Sequence, residues 1–196
     1  MKALVTGFDP FGGDAINPSY QAVRMLPARI GTLMVVTAEL PTSFKRALPT
    51  LRALIARERP DIVLCVGLAA DRSAISIERV AVNLDHARLP DNDGAQPLDR
   101  PVVRGGPAAY FASLPVRKIV ARLNQEKIPC ELSMSAGTFV CNHVFYALMH
   151  LLAKKKNALR GGMPGYKFIG NQILTWYQNR VLKTRLSGCR ACRSTN

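Results

Sequence analysis

The stretch SMSAGTFVCNHV, residues 133–144, organises the predicted fold of this 196-residue chain. Apolar and polar residues alternate over residues 129–135, and this alternation predicts a strand. Residues 136–138 are small or polar and predict a turn. Apolar residues then recur at helical spacing from Phe139 onward. The stretch therefore predicts a strand, a turn and a helix in immediate succession, with Cys141 in the first turn of the helix.

The place of Cys141 in this helix points to a chemical role for its thiol. The first turn of a helix has unpaired backbone N–H groups and the positive end of the helix dipole, and both favour an anion. The thiolate is the reactive form of cysteine, so this position predicts a nucleophile. The alternative is a buried apolar cysteine, which is the commoner role of this residue.

Strands and helices alternate along most of the chain. Strands are predicted at residues 2–6, 32–40, 61–67, 74–84 and 129–135. Helices are predicted to begin near residues 18, 41, 114 and 139, the first with Asn17 as its N-cap, and Pro49 is expected to kink or split the second. This order is typical of an α/β layered fold with a mostly parallel central sheet.

Composition bounds the kind of protein. With 48% hydrophobic residues, the chain predicts one domain with a sizeable core. No apolar run reaches the length that crosses a bilayer, and the first residues do not form a secretory signal. Five unevenly spaced cysteines do not make a disulfide framework, so we expect a protein of the reducing cytoplasm, without a membrane partner.

The net charge of +14 is concentrated near the C-terminus. Residues 1–153 contain 17 basic and 13 acidic side chains, whereas residues 154–196 contain 10 basic side chains and no acidic one. A basic face is the usual signature of nucleic-acid binding, but here the excess belongs to one terminal segment. Nucleic acid is therefore not the expected partner of the main body of the chain.

A glycine-rich loop with two aromatic residues follows the first predicted strand. Its sequence is GFDPFGG, residues 7–13, and it lacks the Gly-Lys-Ser/Thr ending of a phosphate-binding loop. Loops at strand ends often lie next to ligands. Phe8 and Phe11 therefore predict an apolar slot for a small flat ring, the alternative being two aromatics that cap the core.

One acidic residue interrupts an apolar strand. Glu78, followed by Arg79, stands inside the strand predicted at residues 74–84. A charge in a buried strand must be paired or functional. A functional Glu78 is expected to be buried on the same side of the sheet as Cys141, and the alternative is an exposed sheet edge.

Five blocks of sequence, in this order, resemble the pyroglutamyl peptidases, also called pyrrolidone-carboxylate peptidases. They are GFDPFGG (7–13), NPS (17–19), IERVAVN (77–83), RLPDN (88–92) and AGTFVCN (136–142). The resemblance runs from residue 1 to about residue 162. It implies a three-layer α/β/α sandwich, often assembled as a homotetramer. It also implies a cysteine omega-peptidase that removes N-terminal pyroglutamate from peptides, with no metal or organic cofactor.

The resemblance also implies roles for individual residues. It makes Cys141 the nucleophile and Glu78 the acid that orients a catalytic histidine and stabilises its imidazolium. Arg88, together with backbone N–H groups around Cys141 and Leu68, corresponds to the region that stabilises the oxyanion.

The substrate-binding residues follow from the same resemblance. Phe8 and Phe11 correspond to the aromatic slot that takes the lactam ring, and Asn17 lies nearby. Pyroglutamate is small, flat and uncharged, so an apolar slot with a few amide hydrogen bonds suits it better than a charged pocket.

The chain departs from the family where the catalytic histidine should stand. The family has this histidine after a Gly-Gly pair, in a Phe-Ile-His context, whereas here residues 161–162 are followed by Met163-Pro164-Gly165. The three histidines of the chain are His86, His143 and His150. His86 is left open as a substitute base, and the alternative for all three is a surface or structural role.

The segment after residue 162 does not resemble the family. We expect residues 1–162 to form a single pyroglutamyl-peptidase-like domain and residues 163–196 to be a divergent basic tail that replaces the family's C-terminal part. Cys189 and Cys192 form a lone Cys-x-x-Cys pair, which is a weak metal or redox signal. Two alternatives to an active peptidase follow: a catalytically impaired family member, and a binding protein that uses its basic tail.

Overall fold

A mostly parallel sheet runs through the computed structural model, which describes residues 1–69, 72–154 and 160–166. Within these ranges the strands are β1 (Lys2–Phe8), β2 (Arg29–Ile30), β3 (Leu33–Leu40), β4 (Ile62–Cys65), β5 (Gly67–Leu68), β6 (Ile75–Glu78), β7 (Val80–Val82), β8 (Ala109–Phe111), β9 (Cys130–Ser133) and β10 (Arg160–Tyr166). The helices there are α1 (Pro18–Arg24), α2 (Ala47–Glu58), α3 (Val116–Gln125) and α4 (Val140–Lys154).

The main sheet has the strand order β2-β3-β1-β4-β10-β6-β9, with β5 paired to β10. Strand β1 runs parallel to β3 and β4, β10 runs parallel to β4 and β5, and β6 runs parallel to β9. The β2–β3 and β10–β6 pairs are antiparallel. Strands β7 and β8 form a separate antiparallel pair. This arrangement confirms the predicted α/β class with a mostly parallel central sheet.

Helices cover both faces of the sheet because successive residues of a strand point to opposite faces. On one face, Val23 of α1 packs with Ala3 of β1, and Val116 at the start of α3 packs with Ile77 of β6. On the other face, Leu4 of β1 belongs to the core that α2 and α4 share. The described chain thus has the three layers of an α/β/α sandwich.

Helix α4 is buried along most of its length and sits close to the central strand. Nine of its residues between Val140 and Met149 are buried. A Cβ on Gly161 of β10 would lie 2.8 Å from Leu152 Cδ1 and 3.0 Å from Leu148 Cδ2, so glycine is needed for this close approach. The packing fixes the first turn of α4, which carries Cys141, at one end of the sheet.

The strand predicted at residues 74–84 is two strands that belong to different sheets. Strand β6 ends at Glu78 and pairs with β10 and β9, whereas β7 begins at Val80 and pairs with β8. Arg79 stands at the break, where its N–H donates to the Ser133 carbonyl and its carbonyl accepts from the Ala112 N–H. The apolar pattern continues across the break, and periodicity alone did not reveal it.

The prediction that Pro49 kinks or splits the second helix was wrong. The helix was expected to begin near residue 41, but α2 begins at Ala47. Pro49 therefore lies in the first turn, where the backbone N–H has no partner within the helix and proline is tolerated.

Strand β10 was missed in the sequence. It occupies the middle of the sheet between β4 and β6, although Gly-Gly and Pro are unusual in a central strand. It extends to Tyr166, four residues beyond the boundary expected at residue 162. The rest of the expected tail, including Cys189 and Cys192, lies outside the described residues.

Candidate active site

A cavity of about 600 Å³ opens beside the start of α4. It lies where the loop after β1, strand β5, the end of β6 and the turn before α4 meet. The cavity is lined by every site residue predicted from the sequence, namely Phe8, Phe11, Asn17, Glu78, Arg88 and Cys141. Ligand sites of open α/β sheets occur at the carboxyl ends of the strands, and this cavity follows that rule.

Cys141 is the second residue of α4 and lies against strand β5. A Cβ on Gly67 would come within 2.9 Å of the Cys141 Sγ atom, so the thiol occupies the space that a side chain at position 67 would need. Cys141 is half-buried, whereas Cys65 and Cys130 are buried in the core. Among the cysteines of the described residues, Cys141 is the one open to a ligand in the cavity.

The environment of Cys141 favours the neutral thiol. The pKa of the thiol is raised to about 12, chiefly by burial and also by the nearby Glu78 carboxylate and Cys65 thiol. Backbone N–H groups of Cys141 and Leu68 act in the opposite direction. The thiolate predicted from the start of the helix is therefore not favoured, because desolvation outweighs the backbone groups.

Glu78 is buried on the side of the sheet that bears Cys141, as expected of a functional acid. It is 2% exposed, and its Oε1 accepts a hydrogen bond of 2.9 Å from Arg72 Nη1. Its Oε2 has no hydrogen-bond partner within the described ranges. The Ser133 hydroxyl donates to the Ser135 carbonyl at 3.1 Å, and it also lies close enough to Glu78 to lower the pKa of that carboxyl.

Burial raises the pKa of Glu78, while Ser133 and Arg72 lower it and the Glu131 carboxylate raises it again. The net direction is upward. A buried carboxylate with one unpaired oxygen favours a nearby N–H or O–H donor, since an unpaired polar atom is costly away from water.

Two of the three histidines have structural partners away from the cavity. His143 Nδ1 lies 2.9 Å from Asp85 Oδ2 in the buried part of α4. His150 Nδ1 lies 2.9 Å from the Tyr110 hydroxyl, and burial is the main cause that lowers its pKa. Neither histidine lines the cavity.

His86 lines the cavity but is paired at its edge. Its Nδ1 lies 2.8 Å from Asp99 Oδ1, and both side chains are largely exposed. The groups that set the pKa of Cys141 do not include His86. The structure therefore does not show His86 acting on the thiol.

Aromatic side chains form the apolar wall of the cavity. The rings of Phe11 and Phe139 lie 5.7 Å apart between centroids, and Phe44 meets Phe139 edge-on at 5.4 Å. Phe8 also lines the cavity but is 2% exposed, so it belongs to the core as well. Sequence reasoning missed Phe139, although it lies two residues before Cys141.

Asn17 and Arg88 differ in how far they are committed to other groups. Asn17 caps α1: its Oδ1 accepts from the Ser19 N–H and hydroxyl, and its Nδ2 donates to the Asp9 carbonyl at 2.9 Å. Both ends of the Asn17 amide are therefore already hydrogen-bonded, and they hold the loop between β1 and α1 in place. Arg88 is exposed at the mouth of the cavity.

Strand β10 places a glycine next to Gly67, the residue of β5 that lies against the thiol. In the sheet, Gly165 is in register with Gly67 of β5, and Met163 is in register with Glu78 of β6. Residues in register share a face of the sheet, and a Cβ on Gly67 would point at Cys141. Position 165 therefore faces the Cys141 side of the sheet but carries no side chain.

No group of three or more His, Cys, Asp or Glu side chains in the described part of the chain is placed to hold a metal ion. None of the helices described there is long and apolar enough to cross a membrane.

An α/β/α sandwich with a thiol beside two backbone N–H groups and a buried acid has the arrangement of a cysteine hydrolase. A model of the pyroglutamyl peptidase family matches residues 1–187. The chain belongs to the pyroglutamyl peptidase family, and by family it is a cysteine-type peptidase.

Individual members of this family resemble the chain in sequence and in structure over most of its length. The pyrrolidone-carboxylate peptidase of Thermosipho melanesiensis is 51% identical over 174 residues, which cover 89% of this chain and 86% of that protein. The crystal structure of pyroglutamyl peptidase I from Bacillus amyloliquefaciens has a TM-score of 0.83 at 46% identity, with 88% of this chain and 84% of that one covered. The structure of the pyrrolidone carboxyl peptidase from Thermococcus litoralis has a TM-score of 0.83 at 41% identity. The match covers 87% of this chain and 78% of that one.

Proposed function

We propose that this chain binds the N-terminal pyroglutamyl residue of peptides in the cavity beside α4, with Cys141 as the nucleophile, and that its turnover is slow. The observation that carries this proposal is the surroundings of Cys141. The thiol has backbone N–H groups and an acid beside it, but its pKa is raised to about 12 and no described histidine acts on it.

The wall of the cavity suits a small uncharged ring. Phe11 and Phe139 offer apolar surface to one side of a flat lactam, and the cavity is large enough for the ring and the start of the next residue. A neutral lactam needs no charged partner, so it can enter a site of this polarity without a large desolvation cost.

The reaction that fits the site is acyl transfer through a thioester. Cys141 Sγ attacks the carbonyl carbon that joins pyroglutamate to the next residue, and the carbonyl oxygen becomes an oxyanion. The N–H groups of Leu68 and Cys141 lie beside the thiol and would donate to that oxyanion, and Arg88 lines the same cavity. The C–N bond breaks and the amine leaves with the proton that the thiol gives up. Water then hydrolyses the thioester, which releases pyroglutamate and restores the thiol.

The slow step follows from the absence, among the described residues, of a base beside the Cys141 thiol. A thiol with a pKa of about 12 is ionised in only about one molecule in 10⁵ at pH 7. The leaving amine also needs a proton from a group positioned beside it. Loss of the base from a catalytic triad typically costs about 10⁴–10⁶ in rate, and we expect a deficit of this order here.

Hydrolysis of a pyroglutamyl coumarin amide by the purified chain tests this proposal, with Cys141→Ser as the control. We expect slow turnover that disappears in the Ser variant. Binding is measured separately, by titrating an uncleavable pyroglutamyl ketone-methylene analogue. Failure of that analogue to bind would contradict the proposed substrate, while rapid Cys141-dependent turnover would contradict the proposed impairment.

We also propose that the chain works in the cytoplasm as a homo-oligomer, as the family resemblance implies. The free Cys65, Cys130 and Cys141 of the described residues support a reducing compartment. Light scattering after size-exclusion chromatography measures the molar mass and so gives the oligomeric state. A monomer at every protein concentration across the micromolar range would contradict this part of the proposal.

A further inference from the structure

Arg72 connects two parts of the site that are far apart in the sequence. Its Nη1 donates to Glu78 Oε1 at 2.9 Å, and its Nη2 donates to the Ser135 carbonyl at 3.0 Å. Glu78 ends strand β6, and Ser135 belongs to the turn that leads into α4 and Cys141. One guanidinium group therefore ties the acid to the turn that carries the nucleophile.

Arg72 is also the positive charge paired with Glu78 in the described structure. The Glu78 side chain is 3% exposed, whereas that of Arg72 is 32% exposed, so the acid is buried and its partner reaches solvent. Burial favours the neutral acid, and so does the charge of Glu131 on β9. Arg72 and the Ser133 hydroxyl oppose them.

The geometry of the pair also selects one carboxylate oxygen. Arg72 holds Oε1, which leaves Oε2 as the oxygen without a partner in the described part of the chain. A guanidinium donates through two nitrogens in a fixed plane, whereas a lysine ammonium is a single point charge. An arginine can therefore hold the carboxylate and the carbonyl together in one orientation.

We propose that Arg72 is a positioning residue of this active site: it favours the ionised form of Glu78, leaves Oε2 available to a hydrogen-bond donor and fixes the turn at Ser135 relative to the acid. The proposal rests on the proposed function of the site, because Glu78 acts there as the orienting acid. Arg72 acts through Glu78 and the turn and takes no part in bond making.

The test is the titration of Glu78 followed by ¹³C NMR of glutamate-labelled protein, with the Glu78 signal assigned by Glu78→Gln. In Arg72→Met we expect the Glu78 midpoint to rise by about 1–3 pH units, because an adjacent opposite charge lowers a carboxyl pKa by about that amount. Arg72→Lys should give a smaller rise. In both variants we expect faster amide exchange in the turn at residues 135–138.

Arg46→Met is the matched control. Arg46 pairs with Asp93, so this substitution removes a paired arginine of the same charge at a different place. It should leave the Glu78 midpoint unchanged. An unchanged midpoint in Arg72→Met, or an equal rise in Arg46→Met, would overturn the proposal. If Arg72→Met does not fold, Arg72→Lys decides in the same way. The titration needs no substrate, so it remains readable whether or not the chain cleaves pyroglutamyl peptides.

Discussion

The two sides of the cavity differ in how completely their polar groups are paired. We call residues 8–19, 42–46 and 86–95 together with Phe139 the recognition side, and residues 67–68, 72–78, 133–138, 140–141 and 160–166 the chemical side. On the recognition side, Asp9 Oδ1 accepts from the Thr42 N–H at 2.6 Å and from Asn92 Nδ2 at 3.1 Å. On the chemical side, Glu78 Oε2 has no partner within the described ranges.

This difference separates binding from chemistry. The recognition side is cross-linked by hydrogen bonds between segments that are far apart in sequence, which holds the aromatic wall in place before a ligand arrives. The chemical side holds the Cys141 thiol, the proposed nucleophile, and the buried Glu78, but within the described residues no base lies beside the thiol. A site of this kind is expected to bind its ligand much better than it converts it.

The largest expected effect comes from completing the chemical side with Gly165→His. Position 165 lies beside Gly67 in the sheet and faces the Cys141 side, so an imidazole there could take the thiol proton and donate to Glu78 Oε2. Positioned acid–base groups contribute about 10²–10⁴ in rate. We expect an increase of that size in kcat for a pyroglutamyl coumarin amide, with little change in KM.

Gly165→Gln is the control, since it adds a polar side chain of similar length without a titratable group. It should leave kcat unchanged. The gain in Gly165→His should also disappear when Cys141→Ser is added. An equal gain in kcat in Gly165→Gln, or no gain in a folded Gly165→His, would contradict the claim that the chemical side lacks only a base beside Cys141.

The next prediction concerns how Cys141 reacts with an alkylating agent as the pH changes. Because its pKa is raised to about 12, the thiolate fraction should increase about tenfold per pH unit, giving a roughly thousandfold faster reaction at pH 10 than at pH 7. An ordinary cysteine would approach its plateau near pH 9. Mass mapping after partial reaction measures the rate at each cysteine.

Two comparisons sharpen this result. Cys141 should react ahead of Cys65 and Cys130, which are buried, and Glu78→Gln should accelerate it, because the Glu78 charge raises the pKa of Cys141. A plateau below pH 9 in the unmodified chain would show that a group outside the described residues already activates the thiol.

Much of the recognition side could be predicted from the sequence. Asn17 was expected to cap a helix, and its Oδ1 does accept from the Ser19 N–H, because a cap depends on neighbours in the chain. Phe8, Phe11 and Arg88 were expected near one another from the resemblance, and they do line one cavity. Local rules and ordered motifs are enough for such features.

The chemical side was harder to predict, because its properties depend on contacts between distant segments. The position of Cys141 at a helix start was correct, but the thiolate expected there is opposed by burial against Gly67 and by the charge of Glu78. Strand β10 was missed because Gly-Gly and Pro argue against a strand, although its neighbours β4 and β6 hold it in the sheet. The role of Arg72 required knowing which turn it reaches.

A smaller effect is expected when the aromatic wall of the recognition side is opened by Phe11→Ala. The apolar surface that Phe11 offers to the lactam would be lost, which costs about 1–1.5 kcal/mol of binding, or roughly tenfold in Kd. Phe111→Ala is the control, because Phe111 is exposed and does not line the cavity. Calorimetric titration of the uncleavable analogue measures both. Equal losses in the two variants would show that Phe11 does not touch the ligand.

The smallest expected effect concerns the stability of the recognition side in acid. Hydrogen bonds from Arg46 and Ser43 lower the pKa of Asp93 to about 2, below its ordinary value of 3.8. A carboxylate whose pKa is lowered by folding stabilises the folded state above the unfolded pKa, and this contribution is lost as the pH falls through the folded pKa. The pair is largely exposed, so the contribution is small. Thermal unfolding of Asp93→Asn should show a lower Tm than the unmodified chain at pH 7, with the difference shrinking between pH 4 and pH 2. A difference that stays constant over that range would mean that Asp93 contributes through the shape of its loop and not through its charge.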